Sequence, residues 1–507
     1  MASTTPSFPG SDAEHGVRGG PPPRYREQQA DGWVEYLKLD SPQNVYATLA
    51  KLQQHQPVLL QGTPLVAGLV GRWTFSHLAE AIGGEHPLRV LCSDAKRNRF
   101  IECDAAKNVY GGLYHVREPE TQVLQLAFPE FVKCSAAWRA RRLYVRETVM
   151  RYQPPQQAQQ DAPAAPPTPG GDTSAAEGGS KDSGIPSYRP RVQGSSPAAA
   201  GLRQDLESGL NWEWLETLQR AQRFGPVLQV DLEAGCTGGL LPAAYEIADR
   251  LLVQVAGSRR VLLLPPGQAF EGLYPYPLHH PYDRYSMVDF EAPDAGLWPK
   301  FGGGACGVAA VLHPGDVLYV PAYWFAHVQH LEAECLSLSL HLAQGARPPA
   351  ADATPLRLSR ALEQRVADVE GPADVRHWLQ LIGHGEEHEW IDLGTVKGYR
   401  RVVFCQSVRD DVAGALGHGA WTQLLPRMCE GRLVPTPWLN KDFREPLYLT
   451  DKPVVYKDTR TDEERRYPQL FRAKLEAEGW QVQPTVSTVP IPGVNMPKNA
   501  DYRTWQG

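Results

Sequence analysis

The chain has 507 residues, 42% hydrophobic and 21% charged, with 51 basic against 57 acidic side chains and a net charge of −6. No stretch approaches the roughly 18 uninterrupted apolar residues of a membrane helix, the N-terminus lacks the apolar core of a secretory signal, and no long Lys/Arg run offers a footprint for nucleic acid. The expectation is a globular intracellular protein, cytoplasmic or nuclear, that binds neither membrane nor nucleic acid. With 46 Gly and 45 Pro, floppy additions to a folded body are also expected. The eight cysteines (Cys92, Cys103, Cys134, Cys236, Cys306, Cys335, Cys405, Cys429) lie far apart, with no CxxC and no companion His at zinc-finger spacing. They read as thiols of a reducing compartment.

Residues 1–33, rich in Gly, Pro and Ser, have little to bury and read as a disordered tail. Within 34–152, QPVLLQG (Gln56 to Gly62) reads as a short buried strand. Ser76 to Ile82 reads as a helix with Ser76 at its N-cap. In 153–200 aromatic and branched apolar residues nearly vanish, which predicts a disordered insertion. Across 201–345 the runs PVLQVDL, RLLVQVA, RRVLLLPP, VAAVL, GDVLYVP and CLSLSLHL are short, Leu- or Val-rich and broken by Gly and Pro. They predict a jelly-roll or barrel-like sandwich. The last run alternates strictly: Leu336, Leu338, Leu340 and Leu342 face a core, and Cys335, Ser337, Ser339 and His341 face something polar.

Helices return over 346–440. One starts at Thr354 and Pro355 and stops at Gly371 and Pro372. A helical hairpin follows, Val408 to Leu416 and Trp421 to Cys429, whose apolar set (Leu416, Trp421, Leu424, Leu425, Met428) suits either its own core or a two-fold dimer. In the tail, 441–507, Thr461 to Glu464 resembles a capping box. Pro468 would break a helix begun there, so the predicted helix runs from Pro468 to Gly479. The aromatic residues Tyr456, Tyr467, Phe471, Trp480 and Trp505, spread through Pro-containing chain, suggest a strap along a neighbour in a cytoskeletal or other large assembly.

The stretches YPYPLHHPYDRYSMVDFEAPD (Tyr274 to Asp294) and PGDVLYVPAYWFAHV (Pro314 to Val328) resemble the Jumonji-C, cupin-like dioxygenases. Within them the likeness is greatest to the asparaginyl hydroxylases that act on hypoxia-inducible factor. It extends to RLYVRETV (Arg142 to Val149), NWEW (Asn211 to Trp214), VQVAGSRRVLLLPP (Val253 to Pro266) and ALGHGAWTQLLPRMCEGR (Ala415 to Arg432). The resemblance implies a mainly β fold, a double-stranded β-helix with flanking N-terminal α/β elements and C-terminal helices, and a dimer through 408–429. It also implies Fe(II) held by an HxD pair and a distal His, with 2-oxoglutarate beside it.

At those positions this chain departs from the family. The first His falls on Ala244, the Asp on Glu246 and the distal His on Ala326. His327, one residue on, belongs to the opposite face of its strand. For the co-substrate, the resemblance places Arg259 at the basic anchor, Tyr144 at a contacting tyrosine and His341 where an Asn enters the pocket. Leu241 replaces a Thr and Arg250 an Asn. The expectation is a non-catalytic binding or scaffold barrel with no bound cofactor, a residual anion pocket around Tyr144, Arg259 and His341, and a protein partner. The alternative is a hydroxylase that uses Fe(II) and 2-oxoglutarate with an altered metal site, Glu246 with His341 or His327. His279 and His280 read as structural loop histidines, His377, His384 and His388 as surface groups, and Arg259 and Arg260 equally as a solvated strand-end pair.

Overall fold

The computed structural model describes residues 30–434, apart from 40, 95–97, 110–112, 139, 152–196, 346 and 348–349. The predicted helix Pro468 to Gly479 and the aromatic strap lie outside the described residues. The N-terminal part contributes β1 (Ala30–Trp33), β2 (Tyr36–Lys38), α1 (Pro42–Gln53), β3 (Val58–Gln61), α2 (Phe75–Ile82), β4 (Pro87–Asp94), β5 (Thr121–Ala127), α3 (Phe128–Ala137), β6 (Arg141–Arg151), α4 (Pro197–Gly209) and α5 (Trp212–Gln222). Two expected boundaries move. β1 pairs in parallel with a strand at residues 307–309, so the last residues of the expected tail belong to a sheet. α4 begins at Pro197, inside the expected insertion. The N-cap of helix α2 also lies two residues earlier than expected: Thr74, not Ser76, caps it, its Oγ1 accepting from His77 N at 3.1 Å.

Eight further strands build the body: β7 (Val227–Gly235), β8 (Leu240–Tyr245), β9 (Asp249–Ala256), β10 (Arg259–Leu264), β11 (Gly307–Leu312), β12 (Val317–Val320), β13 (Phe325–His330) and β14 (Cys335–Leu342). One sheet holds them in the order β12-β9-β14-β7 and the other in the order β11-β10-β13-β8. This is the jelly roll, the double-stranded β-helix. The first sheet is continued by β6, β4 and β5 at one edge and by β3 and β2 at the other, and the second sheet by β1.

The period of two decides what lies inside. On β14, Leu336, Leu338, Leu340 and Leu342 are fully buried and join Val230, Leu232, Leu251 and Val253 in a core under α2, α4 and α5. Ser337, Ser339 and His341 therefore point between the sheets, as the alternation predicts. The interior is split. Val261, Leu263, Ala310, Leu312, Leu318 and Val320 form a dry cluster, and the remainder is polar.

A second large core covers the outer face of the smaller sheet. Leu262, Leu264, Tyr245 and Phe325 meet α7 (Thr354–Glu370), α8 (Val375–His384), α9 (Val396–Leu416) and α10 (Trp421–Cys429). Helix α7 has the predicted limits, ending where Gly371 turns to φ 101°. Helix α9 is longer than predicted and begins at Val396, capped by Thr395. Before Cys405 it buries only Gly398 and exposes Val396, Tyr399, Val402 and Val403, so the amphipathic signal begins only at Cys405 and Val408. The apolar residues of α10, Leu424, Leu425 and Met428, are spent on the chain's own core. No helix among the described residues is long and apolar enough to cross a membrane, and all eight thiols are free.

Leu338 lies between β7 and β9, paired with Leu232 and Val253. Leu338→Ala removes a fully buried side chain from a strand covered on both faces and is expected to cost about 2–5 kcal/mol, measured by urea unfolding.

Candidate functional site

Ala244 near the end of β8 and Ala326 on β13 are direct cross-strand partners, so two methyl groups face each other at the barrel mouth. Beside them lies a cavity of about 290 Å³. Its walls come from β8, β13 and β10 on one side and from β6, β7 and β9 on the other, with Tyr285 and Arg284 from the loop after β10 at its rim.

Glu246 follows β8 directly, and its carbonyl accepts from Tyr323 N at 2.7 Å, which ties this turn to the one before β13. Its carboxylate is committed to two guanidiniums, bonding Arg284 Nη1 and lying 3.5 Å from Arg146 Nη2. Burial alone would raise the Glu246 pKa. The charges of Arg250, Arg146 and Arg284 outweigh it and hold the group below the usual carboxylate range.

His327 faces the other way, as a one-residue shift requires. Its ring stacks on Phe290 at 5.5 Å and its Nε2 lies 3.5 Å from Glu291. Burial pushes its pKa down to about 4. His341 does face inward, but toward β7: its Nε2 is 3.2 Å from Asp231 Oδ2 and 3.3 Å from Ser339 Oγ. Among the described residues no group of three or more His, Cys, Asp or Glu side chains is placed to hold a metal ion. A three-ligand iron centre does not fit this donor set, because two of its positions carry methyl groups and the third carries an ion-paired carboxylate.

The expected anion-pocket residues lie close together but differ in state. Arg259 is 1% exposed, which places it in the interior and corrects the solvated-rim reading. Its Nη1 donates to Glu233 Oε2 at 2.8 Å, whereas Nε and Nη2 have no partner. Tyr144 is also buried, its ring stacked on Phe100 at 5.3 Å and on His330 at 5.7 Å, and its Oη is unpartnered. Burial drives its pKa well up. Leu241 and Arg250 both line the cavity.

The two loop histidines differ: the Nε2 of His279 is buried without a partner, whereas His280 is packed and bonded. His280 packs among Tyr276, Tyr282 and Tyr114 and accepts from Tyr282 N at 2.9 Å. Burial pushes its pKa down to about 3. On α8, His377 packs against Trp378 and Trp390.

Sequence reasoning missed the acidic half of the interior. Asp231 and Glu233 on β7 and Arg146 on β6 point between the sheets, in register with one another: Arg146 pairs with Glu233, and Thr148 with Asp231. The signal was present in QVDLEAG, where Asp231 and Glu233 alternate with Val230, Leu232 and Ala234 just as the serines of β14 alternate with leucines.

An eight-stranded jelly roll with an inward-facing polar recess defines a cupin-type protein. The chain belongs to the cupin-like domain family, which matches residues 50–342, more than half of its length. It is similar to tRNA wybutosine-synthesizing protein 5 of Danio rerio, 25% identical over 280 residues that cover 55% of this chain and 66% of that protein. It is also similar to HSPB1-associated protein 1 of Homo sapiens, 28% identical over 134 residues that cover 25% of this chain and 26% of that one. JmjC domain-containing protein D of Dictyostelium discoideum is 29% identical over 99 residues, 19% of this chain and 21% of that protein. The chain thus spans less than two thirds of the length of these curated relatives, and the shared family is of the JmjC type.

Asp231 gives the site a pH signature. Burial would raise its pKa, but the hydrogen bond from His341 and the Arg146 charge outweigh it and lower the pKa to about 2. The folded group thus titrates below its usual value of 3.8. Its contribution, about 2 kcal/mol, is complete above roughly pH 5 and is lost as the pH falls towards 2. Asp231→Asn is expected to flatten the acid limb of a stability–pH profile measured by chemical denaturation.

Proposed function

We propose that this chain is a non-catalytic binding or scaffold barrel of the JmjC/cupin-like type, in which the iron site is replaced by a polar recess. The observation that carries the reading is the Ala244–Ala326 pair across β8 and β13. A methyl group has no lone pair, and facial iron sites use two His and one carboxylate. The competing reading, Fe(II) and 2-oxoglutarate with Glu246 joined by His341 or His327, requires side chains that point to three different places. Glu246 is held by arginines, His341 by Asp231, and His327 lies outside the barrel. The anion pocket around Tyr144, Arg259 and His341 is part of the proposal. Free donors on Tyr144 and Arg259 support it, whereas Glu233 already pairs with Arg259 and Asp231 lies 3.2 Å from His341.

A protein partner fits this role better than RNA. One relative is named for its association with another protein and another for tRNA modification, but this chain is acidic overall. A homodimer through the C-terminal helices is the further part. Because Val408, Val412, Leu424 and Met428 are buried within one chain, the apolar surface left for a second copy is the first half of α9, at Val396, Tyr399 and Val403.

Two experiments test the proposal. Purified protein is expected to carry no stoichiometric Fe, Mn or Zn by elemental analysis and to turn over 2-oxoglutarate at background. Ala244→His combined with Ala326→His is expected to gain metal binding. Stoichiometric iron with turnover in the unaltered protein defeats the reading. For the dimer, sedimentation equilibrium should show Tyr399→Asp with Val403→Asp dissociating at least tenfold more readily, and a wild-type protein that is monomeric at high micromolar concentration removes the interface.

A further inference from the structure

The four strands at the sheet edges are not alike. β1 is four residues long with a register shift between Ala30 and Gly32, and β2 is three residues long and carries Lys38. The outer side of β8 is bonded by neighbouring chain: Phe100 N donates to Leu240 O at 2.8 Å and Ser286 N to Ala243 O at 2.8 Å. Short edges, bulges, lysines and covering loops are the usual protections against the addition of a further strand. β5 has none of them. All seven of its residues, Thr121 to Ala127, pair with β4 without a shift of register, and the run TQVLQLA holds no charge, Pro or Gly.

In an antiparallel pair every second residue turns its N–H and C=O away from the neighbouring strand. Among the described residues no strand other than β4 pairs with β5, so those groups face outward along its free side. Gln122, Val123 and Gln125 are exposed, Val123 by 49%, and Leu124 and Leu126 are only partly covered where they meet the main core. A row of backbone donors and acceptors at strand spacing is complementary to another extended backbone, and the side chains beside it favour apolar residues at alternate positions of that backbone. None of β5 lines the barrel cavity.

Charge decides between a second copy and a different protein. The exposed side chains of Glu118 and Glu130 bracket the run, each nearer to it in sequence than the cations Arg117 and Lys133. Two copies paired antiparallel about Leu124 bring Glu130 of each level with Glu118 of the other, and like charges so placed oppose pairing. Both copies also carry a net charge of −6. Basic residues at the ends of a foreign strand meet the same carboxylates favourably.

We propose that β5 is a docking edge for a partner protein, which adds an extended, uncharged segment with basic ends as one more antiparallel strand of the nine-stranded sheet. The inference rests on the reading of this chain as a protein-binding barrel, and it names where the partner lies and what recognises it.

The test uses the full chain, with a capped synthetic peptide of alternating Thr and Val, bracketed by a Lys pair at each end, as the probe. Titration is expected to give a dissociation constant below about 1 mM, and amide hydrogen exchange to slow at least about tenfold within residues 121–127. The same peptide N-methylated throughout its Thr–Val run keeps the side chains, loses the backbone donors and is expected not to bind. Val123→Lys puts a charge on the free edge and is expected to weaken binding at least about tenfold, whereas Tyr36→Lys, on the short edge β2, leaves it unchanged. Should Val123→Lys not fold, Gln125→Lys, exposed on the same face, repeats the test. No binding below about 1 mM, equal binding of the N-methylated peptide, or binding indifferent to both β5 variants overturns the inference. A wild-type dimer that Val123→Lys dissociates in sedimentation assigns the edge to a second copy and overturns it too. Metal content and 2-oxoglutarate turnover are read on the same preparation. Iron with turnover beside Val123-dependent peptide binding would sink only the non-catalytic reading, and an iron-free barrel that takes no peptide would sink only the docking edge.

Discussion

A layer of opposed charges between two sheets governs this barrel. Arg259 on β10 reaches across to Glu233 on β7, and Arg146 on β6 lies within 4 Å of Asp231 and Glu246. Bringing these ions together out of water is expensive, and the layer holds only because each carboxylate meets a guanidinium or an imidazole in fixed geometry. Asp231 illustrates how completely: it accepts from Thr148 Oγ1 at 2.9 Å and from Gln229 Nε2 at 2.7 Å, and it lies beside His341 and Arg146. Such a layer makes the sheet-to-sheet register specific, because a slip of one residue would strand every charge on the wrong face.

The barrel itself does not depend on what fills its mouth. The jelly roll is carried by outward-facing leucines and valines that form the two outer cores, and these residues are independent of what fills the mouth. Chemistry depends on a handful of inward positions at the ends of β8 and β13. Substituting alanine there leaves the outer cores untouched, so fold and function are separable in this architecture.

Much of the fold was legible because its signals are local. CLSLSLHL announces a strand with one apolar face, and Thr354-Pro355 followed by Gly371-Pro372 brackets a helix. β8 and β13 were harder to read from pattern, since LLPAAY and FAHVQH have neither clean alternation nor β-branched enrichment; the likeness to a known family located them. Glu233 and Asp231 were not legible as site residues, because acidic side chains alternating with apolar ones along a strand fit a solvated face as well as an inward polar one. Arg250 stands where the family has Asn, and only the packed interior reveals that its charge, with those of Arg146 and Arg284, holds the Glu246 carboxyl below its usual range. Helix α9 was cut short because Val396, Tyr399 and Val403 point to solvent and blur the helical period.

The pairing of β6 with β7 carries an architectural consequence. Arg151 at the end of β6 sits opposite Gln229, although the chain passes through residues 152–196, α4 and α5 before returning. The two anchoring points are fixed by sheet hydrogen bonds, and the entropy of closing a loop grows only with the logarithm of its length, roughly 0.6 kcal/mol for each doubling. Chain added between these two anchors therefore costs little in closure entropy, and an insertion there is compatible with the same barrel.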